Sequence, residues 1–291
     1  MSIFKGCATA LVTPFDETGV DFYSFERFLD FQLENGIDAL VVLGTTGESA
    51  TMTEEEKIRT ADFAIKHVRG RVPVIVGTGS NNTREVVRYS RIIESLGADA
   101  LLVVTPFYNK CTQNGLIEHY LTVADAVKTP IVCYNVPTRT GVNILPETFR
   151  TIAGHKNICA IKEASGNIEQ ISETIRLSQG LAEVISGDDG LTVPSMCMGA
   201  TGVISVASNV FPSFVREMTA LALKGDFDNA SKMQLKLNPL VKGLFCEVNP
   251  IPVKYALSKL GYIKNILRLP LTPVTKADSD KIDILMNDFI N

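Results

Sequence analysis

Lys162 is the side chain of this sequence best suited to covalent chemistry. It closes the apolar, strand-like run that begins at Ile158, and the polar stretch Glu163-Ala164-Ser165-Gly166 then turns the chain. A lysine at the end of a buried strand keeps its stem among apolar groups, and burial disfavours the charged ammonium form. The neutral amine attacks carbonyl carbon, so this position predicts a Schiff base to a keto compound. The structural alternative is a lysine that caps the strand with its amine in water.

Paired hydroxyl groups follow the second apolar run, in the stretch Gly44-Thr45-Thr46-Gly47-Glu48-Ser49. The two glycines permit a tight turn. The hydroxyls of Thr45 and Thr46, together with exposed backbone N–H groups, are suited to hold a carboxylate. An ordinary turn rich in Gly, Ser and Thr has the same composition and is the alternative.

Aromatic and basic side chains follow two further apolar runs. Tyr134 ends the fifth run and Arg139 lies shortly after it, which offers a proton carrier and a two-pronged carboxylate binder. The alternative is a half-buried tyrosine and a solvated arginine. Phe107 and Tyr108 follow the fourth run, where loop packing or a subunit contact would equally explain them. These candidates favour Schiff-base chemistry on a small keto acid if the fold brings them together at one end of a barrel. They are a lysine nucleophile, a tyrosine, two threonines and an arginine.

Short apolar runs alternate with helix-like segments along most of the chain, a rhythm typical of parallel βα units. This rhythm predicts an α/β fold of the (β/α)8 TIM-barrel type, with a doubly wound open sheet as the alternative because strand closure cannot be read from a sequence. The residues singled out above all follow strands, where TIM barrels carry their reactive groups. The predicted strands are Cys7–Val12, Ala39–Leu43, Val72–Val76, Ala100–Val104, Ile131–Tyr134, Ile158–Lys162, Glu183–Ser186 and Gly202–Val206.

The rhythm changes near Gly225. Three helical patterns follow without a strand between them, over Asp226–Lys242, Pro250–Leu260 and Lys276–Ile290. We therefore predict a catalytic barrel over residues 1–224 and a C-terminal α-helical appendage over residues 225–291 that packs on the barrel.

Composition argues against several classes of partner. The 291 residues are 45% hydrophobic and 21% charged, with a net charge of −4 and no block of Lys or Arg, so we expect no nucleic-acid partner. No apolar run approaches the roughly 20 residues that cross a bilayer, and the N-terminus lacks a signal-peptide pattern, so we expect no membrane partner. The six cysteines are scattered without Cys-x-x-Cys spacing, which favours a reduced cytoplasmic enzyme.

Motifs for cofactors, phosphates and metals are incomplete. Gly77-Thr78-Gly79 lacks the third glycine of the dinucleotide fingerprint. Barrels that bind phosphate usually do so at the loops after the last two strands. Here Asp188 and Asp189 lie in the first of these loops and no glycine-rich run follows the eighth strand, which argues against a phosphorylated substrate. The three histidines are far apart in the sequence, so we expect no metal site.

Three stretches together resemble the pyruvate-dependent class I aldolase superfamily: Gly44–Glu48, Tyr134–Pro137 and Ile161–Ser165. The resemblance runs the whole length of the chain, including its helical C-terminal part. Within the superfamily, Arg139 and Thr45 resemble the dihydrodipicolinate synthase family, because sialic acid lyases generally lack that arginine and tend to carry serine in place of the threonine. N-acetylneuraminate lyase or 2-keto-3-deoxy sugar acid aldolase activity is the alternative, and a catalytically silent keto-acid-binding regulator is a third.

The resemblance implies a condensation of pyruvate with L-aspartate 4-semialdehyde in the diaminopimelate pathway to lysine, with no metal and no organic cofactor because the imine itself is the electron sink. Lys162 would form the imine, and Tyr134 would carry protons in a relay with Thr45 and with a Tyr108 that reaches in from a neighbouring subunit of a homotetramer, a dimer of dimers. Arg139 would grip the semialdehyde carboxylate. The groups that would position pyruvate are Thr46 and the backbone near Gly187 and Ile204.

One departure from the family concerns inhibition by lysine. Lysine-inhibited members bind lysine with two histidines and a tyrosine, at positions that are Glu54, Lys57 and Phe107 here. The remaining positions of that site are retained, as Ser49, Ala50, Asn81 and Glu85. Because Lys57 places a cation near a cationic ligand and Phe107 lacks a hydroxyl, we expect weak or absent inhibition by lysine.

Overall fold

The structure, a computed structural model, describes residues 2–290. Met1 and Asn291, the outer limits of the two predicted domains, lie outside the described residues. The strands are β1 Gly6–Ala10, β2 Phe15–Asp16, β3 Gly19–Val20, β4 Ala39–Val42, β5 Val74–Gly77, β6 Ala100–Val104, β7 Ile131–Asn135, β8 Ile158–Glu163, β9 Glu183–Ser186 and β10 Gly202–Ser205.

Eight of these strands form a closed parallel barrel in the order β1-β10-β9-β8-β7-β6-β5-β4. The (β/α)8 prediction is therefore confirmed, and the open sheet is excluded because β1 pairs with both β10 and β4. All eight predicted strands are present, with ends that differ by up to two residues. The small antiparallel pair β2–β3 was not predicted, because strands of two residues leave no periodic signal.

Helices cover the outside of the barrel. The helices are α1 Phe22–Glu34, α2 Glu54–Val68, α3 Thr83–Ser95, α4 Gln113–Ala126, α5 Pro137–Thr140, α6 Pro146–Ala153, α7 Ile168–Ser178, α8 Thr192–Met198, α9 Pro212–Leu223, α10 Phe227–Leu244, α11 Ile251–Lys259 and α12 Lys276–Ile290. Local signals start several of them: Thr53 and Glu56 form a capping box before α2, and Pro146 occupies the first turn of α6.

Two apolar cores result from the alternation of side chains along each strand. One fills the barrel and includes Val41, Ile75 and Ala160, and the larger one lies between barrel and helices. On β8 the alternation places Lys162 on the interior face with Ala160, whereas Glu163 faces the helices with Ile161. The same rule that fills the barrel thus points the amine of Lys162 along its axis.

The C-terminal helices α10, α11 and α12 follow one another with no strand between them in residues 227–290. Gln234 on α10 donates to the backbone oxygen of Asp189, in the loop after β9. The division of the chain at residues 224 and 225 stays a prediction. No helix within residues 2–290 is long and apolar enough to cross a membrane.

Candidate active site

Lys162 and Tyr134 lie side by side at the carboxyl end of the barrel. They are register partners on the adjacent strands β8 and β7, and the Lys162 Nζ lies 4.4 Å from the centroid of the Tyr134 ring. Lys162 is 5% exposed and Tyr134 is 6% exposed. Within the described residues, the Lys162 amine has neither a hydrogen-bond partner nor an ion-pair partner. The amine is thus held against an aromatic face and left free to react.

Gly187 borders the stem of Lys162. A Cβ at position 187 would lie 3.0 Å from the Cε and Cγ atoms of Lys162 and 2.7 Å from the Cβ of Ala164. Any side chain here would displace the lysine, so the position needs glycine. Ile204 is buried on β10 and belongs to the apolar core that fills the barrel. Of the three groups predicted to position pyruvate, Ile204 thus lies in the barrel interior and Gly187 directly contacts the lysine stem.

The Thr45–Thr46 turn follows β4 and is shaped by strained backbone. Leu43 and Glu48, before and after the two threonines, both have positive φ, at 59° and 53°. Leu43 can take this conformation because Gly77 on β5 leaves room for it: a Cβ on Gly77 would lie 2.1 Å from the Leu43 oxygen. Thr46 is 3% exposed, and its Oγ1 accepts a hydrogen bond from Asn249 Nδ2 at 2.9 Å.

Arg139 lies in α5, the single helical turn after β7. Its side chain is exposed, and Nη2 donates to the backbone oxygen of Asn249 at 3.1 Å. The sequence did not predict that these loop residues are helical, because four residues are too few to show periodicity.

A cleft of about 730 Å³ opens at this end of the barrel. Thr45, Tyr134, Arg139 and Asn249 all line it, so the structure brings three of the predicted site residues to one opening. Lys162 is not part of the lining. Its amine lies over the face of the Tyr134 ring, and Tyr134 does line the cleft.

Tyr108 is the predicted catalytic residue that the single chain does not bring to the site. It is 91% exposed with φ of 70°, and it does not line the cleft, whereas the neighbouring Phe107 does. The sequence reasoning assigned Tyr108 to the site of a neighbouring subunit, and that assignment stays a prediction.

Two buried carboxylates hold the loops around Lys162. Glu163 accepts hydrogen bonds from Asn135 Nδ2 and from the Ser165 N–H at 2.8 Å, and burial raises the pKa of its carboxyl group. Asp189 accepts from the N–H groups of Val206 and Ala207, which ties the loop after β9 to the end of β10, and burial raises its pKa as well. Both groups fix the backbone on which Lys162 and Ile204 lie.

A second buried lysine, Lys254 on α11, was not found from the sequence. Its Nζ lies 2.6 Å from Glu48 Oε1 and 4.3 Å from the centroid of the Phe15 ring, with no exposed surface. Burial lowers the pKa of Lys254 to about 8, and the Glu48 carboxylate opposes that shift. The second Glu48 oxygen accepts from the Arg268 N–H. The signal was present as a lysine among the apolar residues of α11, but its partner lies far away in the sequence.

Asn249 was also missed. It lies just before α11, it is 5% exposed, and it contacts both Thr46 and Arg139. An asparagine next to a proline is a common turn pattern, so nothing local distinguished it.

The closed barrel, the buried amine at its mouth and the adjacent phenol are features of a class I aldolase-type enzyme. The sequence profile described as "Dihydrodipicolinate synthetase family" matches residues 3–288. The chain is 52% identical over 280 residues to the 4-hydroxy-tetrahydrodipicolinate synthase of Alkaliphilus oremlandii, covering 96% of this chain and 97% of that one. It is 49% identical over 289 residues to the enzyme of the same name from Kosmotoga olearia, covering 98% of each.

A solved structure agrees with the sequence relatives. The dihydrodipicolinate synthase of Thermotoga maritima superposes with a TM-score of 0.97 at 45% identity, covering 99% of each chain. The chain belongs to the dihydrodipicolinate synthetase family.

Proposed function

We propose that the barrel condenses pyruvate with L-aspartate 4-semialdehyde through a Schiff base on Lys162, the reaction of a 4-hydroxy-tetrahydrodipicolinate synthase in lysine biosynthesis. The observation that carries the proposal is the buried, unpaired amine of Lys162, 4.4 Å from the centroid of the Tyr134 ring. The proposal is also supported by the family to which the chain belongs and by its relatives, which are 4-hydroxy-tetrahydrodipicolinate synthases.

The first steps activate pyruvate. The Lys162 nitrogen adds to the keto carbon, and loss of water leaves an imine. The methyl carbon then loses a proton, and the electrons of that C–H bond form the enamine while the iminium nitrogen becomes neutral. Tyr134 carries protons to and from the reacting atoms, in a relay with Thr45 and Tyr108. Thr46 and the backbone at Gly187 and Ile204 position the pyruvate.

The second steps build the ring. The enamine carbon attacks the aldehyde carbon of the semialdehyde, forming a C–C bond while the aldehyde oxygen takes a proton. The amine of the semialdehyde then attacks the iminium carbon, closes the ring and expels the Lys162 amine. Arg139, an exposed guanidinium at the cleft, binds the semialdehyde carboxylate through paired N–H groups.

An assay with two substrate pairs tests the reaction. We expect turnover with pyruvate plus L-aspartate 4-semialdehyde, measured as the consumption of pyruvate. We expect no cleavage of N-acetylneuraminate or of 2-keto-3-deoxy sugar acids. Cleavage of a sugar acid without condensation would contradict the proposal in favour of the aldolase alternative. Binding of pyruvate without either reaction would favour a keto-acid-binding regulator.

The assembly we propose is a homotetramer in which Tyr108 completes the site of a neighbouring copy. Its support is a tyrosine that is 91% exposed next to a Phe107 that lines the cleft. Mixing inactive Lys162→Ala subunits with Tyr108→Ala subunits tests it, because mixed pairs contain one site with both native residues. Recovery of activity on mixing is expected, and no recovery in a mixture shown by mass measurement to contain mixed oligomers would contradict it.

Weak or absent inhibition by lysine is part of the same proposal. Arg88 pairs with both Glu54 and Glu85, at 2.9 Å to a Glu54 oxygen and 3.0 Å to a Glu85 oxygen. Both carboxylates are thus already paired with the same guanidinium, and the cation Lys57 lines the same cleft. A steep loss of activity with micromolar lysine would contradict this expectation.

We also place the enzyme in the cytoplasm, on the strength of its scattered, unpaired cysteines. Fractionation of cells that express the chain tests this placement. Activity recovered outside the cytoplasmic fraction would contradict it.

A further inference from the structure

Asn249 connects two site residues that follow different strands. Its Nδ2 donates to Thr46 Oγ1 at 2.9 Å, and its backbone oxygen accepts from Arg139 Nη2 at 3.1 Å. Thr46 follows β4 and Arg139 follows β7, whereas Asn249 comes from the C-terminal part of the chain. One residue outside the barrel strands, itself part of the cleft lining, therefore contacts both the buried Thr46 and the cleft-lining Arg139.

The direction of the first hydrogen bond decides what Thr46 can do. A hydroxyl has one proton to donate and two lone pairs that accept. Because the amide N–H occupies a lone pair of Thr46 Oγ1, the hydroxyl proton remains available for a different partner. A carboxylate only accepts hydrogen bonds. Asn249 thus sets Thr46 as a donor, the polarity that a carboxylate ligand requires.

The position of Asn249 is fixed by the neighbouring helix. Lys254 on α11 forms its buried ion pair with Glu48, 2.6 Å from nitrogen to oxygen, and Glu48 belongs to the same turn as Thr46. The turn after β4 and the segment around Asn249 are therefore joined at two points, one neutral and one charged. A group held at two points loses little additional freedom when a ligand binds.

We propose that Asn249 is a positioning residue of the pyruvate site, whose amide directs the Thr46 hydroxyl as a donor to the pyruvate carboxylate and whose backbone oxygen holds Arg139 at the cleft. This inference rests on the proposed function. Asn249 acts through Thr46, so its loss weakens pyruvate binding while Lys162 and Tyr134 keep their places. The expected signature is a raised KM for pyruvate with kcat little changed.

The first test compares two asparagines of the C-terminal part. Asn249→Ala is expected to raise the KM for pyruvate about tenfold. This is the effect of losing one well-placed hydrogen bond to a charged group, here the bond from the Thr46 hydroxyl to the pyruvate carboxylate. Asn265→Ala is the matched control. Asn249 and Asn265 each have a buried amide oxygen without a partner among the described residues, but Asn265 does not line the cleft. Its KM for pyruvate is expected to match that of the unchanged protein.

A double-mutant cycle with Thr46→Val identifies the route of the effect. If Asn249 acts through Thr46, Asn249→Ala raises KM by less than about twofold once the hydroxyl is gone. A full tenfold increase in the Thr46→Val background would show an independent, general structural effect and would overturn the inference. A Thr46→Val protein with an unchanged KM for pyruvate would overturn it too.

Asn249→Asp provides a variant of nearly identical size in case the alanine variant does not fold. Its carboxylate cannot donate, so Thr46 must turn its proton toward residue 249, and the KM for pyruvate is expected to rise at least tenfold. A normal KM in this variant would contradict the inference alone. Absence of turnover in the unchanged protein and in Asn265→Ala would instead overturn the proposed function and the inference together.

Discussion

Two regions of the molecule each contain a buried lysine. One is the mouth of the barrel, and the other is the contact between the turn after β4 and the C-terminal helix α11. Lys162 at the end of β8 is 5% exposed and contacts the Tyr134 ring without any carboxylate partner among the described residues. Lys254 on α11 is wholly buried and is paired with Glu48 at 2.6 Å. Both amines lie near an aromatic face, at 4.4 Å and 4.3 Å from the ring centroids. The difference between them is the carboxylate.

This difference separates a reactive group from a structural one. A paired ammonium has its charge compensated and its protons engaged, so it is a poor nucleophile even when burial lowers its pKa. An unpaired amine beside a residue that lines the cleft has no carboxylate to compensate its charge, which leaves it available to react. Burial alone therefore does not identify a catalytic lysine, and the missing partner does.

The largest effect is expected from removing the Lys162 amine. Lys162→Ala should reduce turnover by at least about a thousandfold, since the covalent step has no substitute. Its circular dichroism spectrum should match that of the unchanged protein, because no ion pair is lost. Turnover within tenfold of normal would show that another group forms the covalent bond.

Removing the Lys254 amine should act on stability instead. Lys254→Met leaves the Glu48 carboxylate buried without its cation, which should lower the free energy of unfolding by about 3–5 kcal/mol. Urea unfolding followed by circular dichroism measures this, since the chain has no tryptophan. The matched control is Lys259→Met on the same helix, whose exposed pair with Asp283 at 3.1 Å should contribute at most about 1 kcal/mol. Equal effects of the two changes would contradict the structural role of Lys254.

Tyr134→Phe tests whether the ring beside Lys162 has more than a packing role. The ring remains and the hydroxyl is lost, so we expect kcat to fall about a hundredfold with little change in stability. The corresponding contact of Lys254 is to Phe15, which has no hydroxyl to lose. Normal kcat in Tyr134→Phe would remove the proton-carrier role from the mechanism.

The smallest effect is a dependence of stability on pH that comes from Lys254. Its pKa falls from 10.5 to about 8 in the folded chain because burial disfavours the ammonium. Between those pH values the unfolded chain holds a proton that the folded chain has released, so the free energy of unfolding rises with pH across this interval. Subtracting the pH profile of Lys254→Met isolates this contribution. A difference that falls with rising pH would contradict the lowered pKa.

The barrel and most of its site were accessible from the sequence because both depend on local patterns. Continuous apolar runs mark buried parallel strands, and the residues after them must meet at one end of a barrel. Lys162, Tyr134, Thr45 and Arg139 were predicted as site residues by that rule, and the structure places all four at the carboxyl end of the barrel. Lys254 and Asn249 were not, because their significance depends on partners about two hundred residues away, at Glu48 and Thr46.

Trapping of the imine with pyruvate and borohydride tests the central claim most directly. Reduction should fix one pyruvate per chain, and peptide mapping should find it on Lys162 in the unchanged protein and in Lys254→Met. Label on Lys254, or label that persists in Lys162→Ala, would contradict the assignment of Lys162 as the nucleophile.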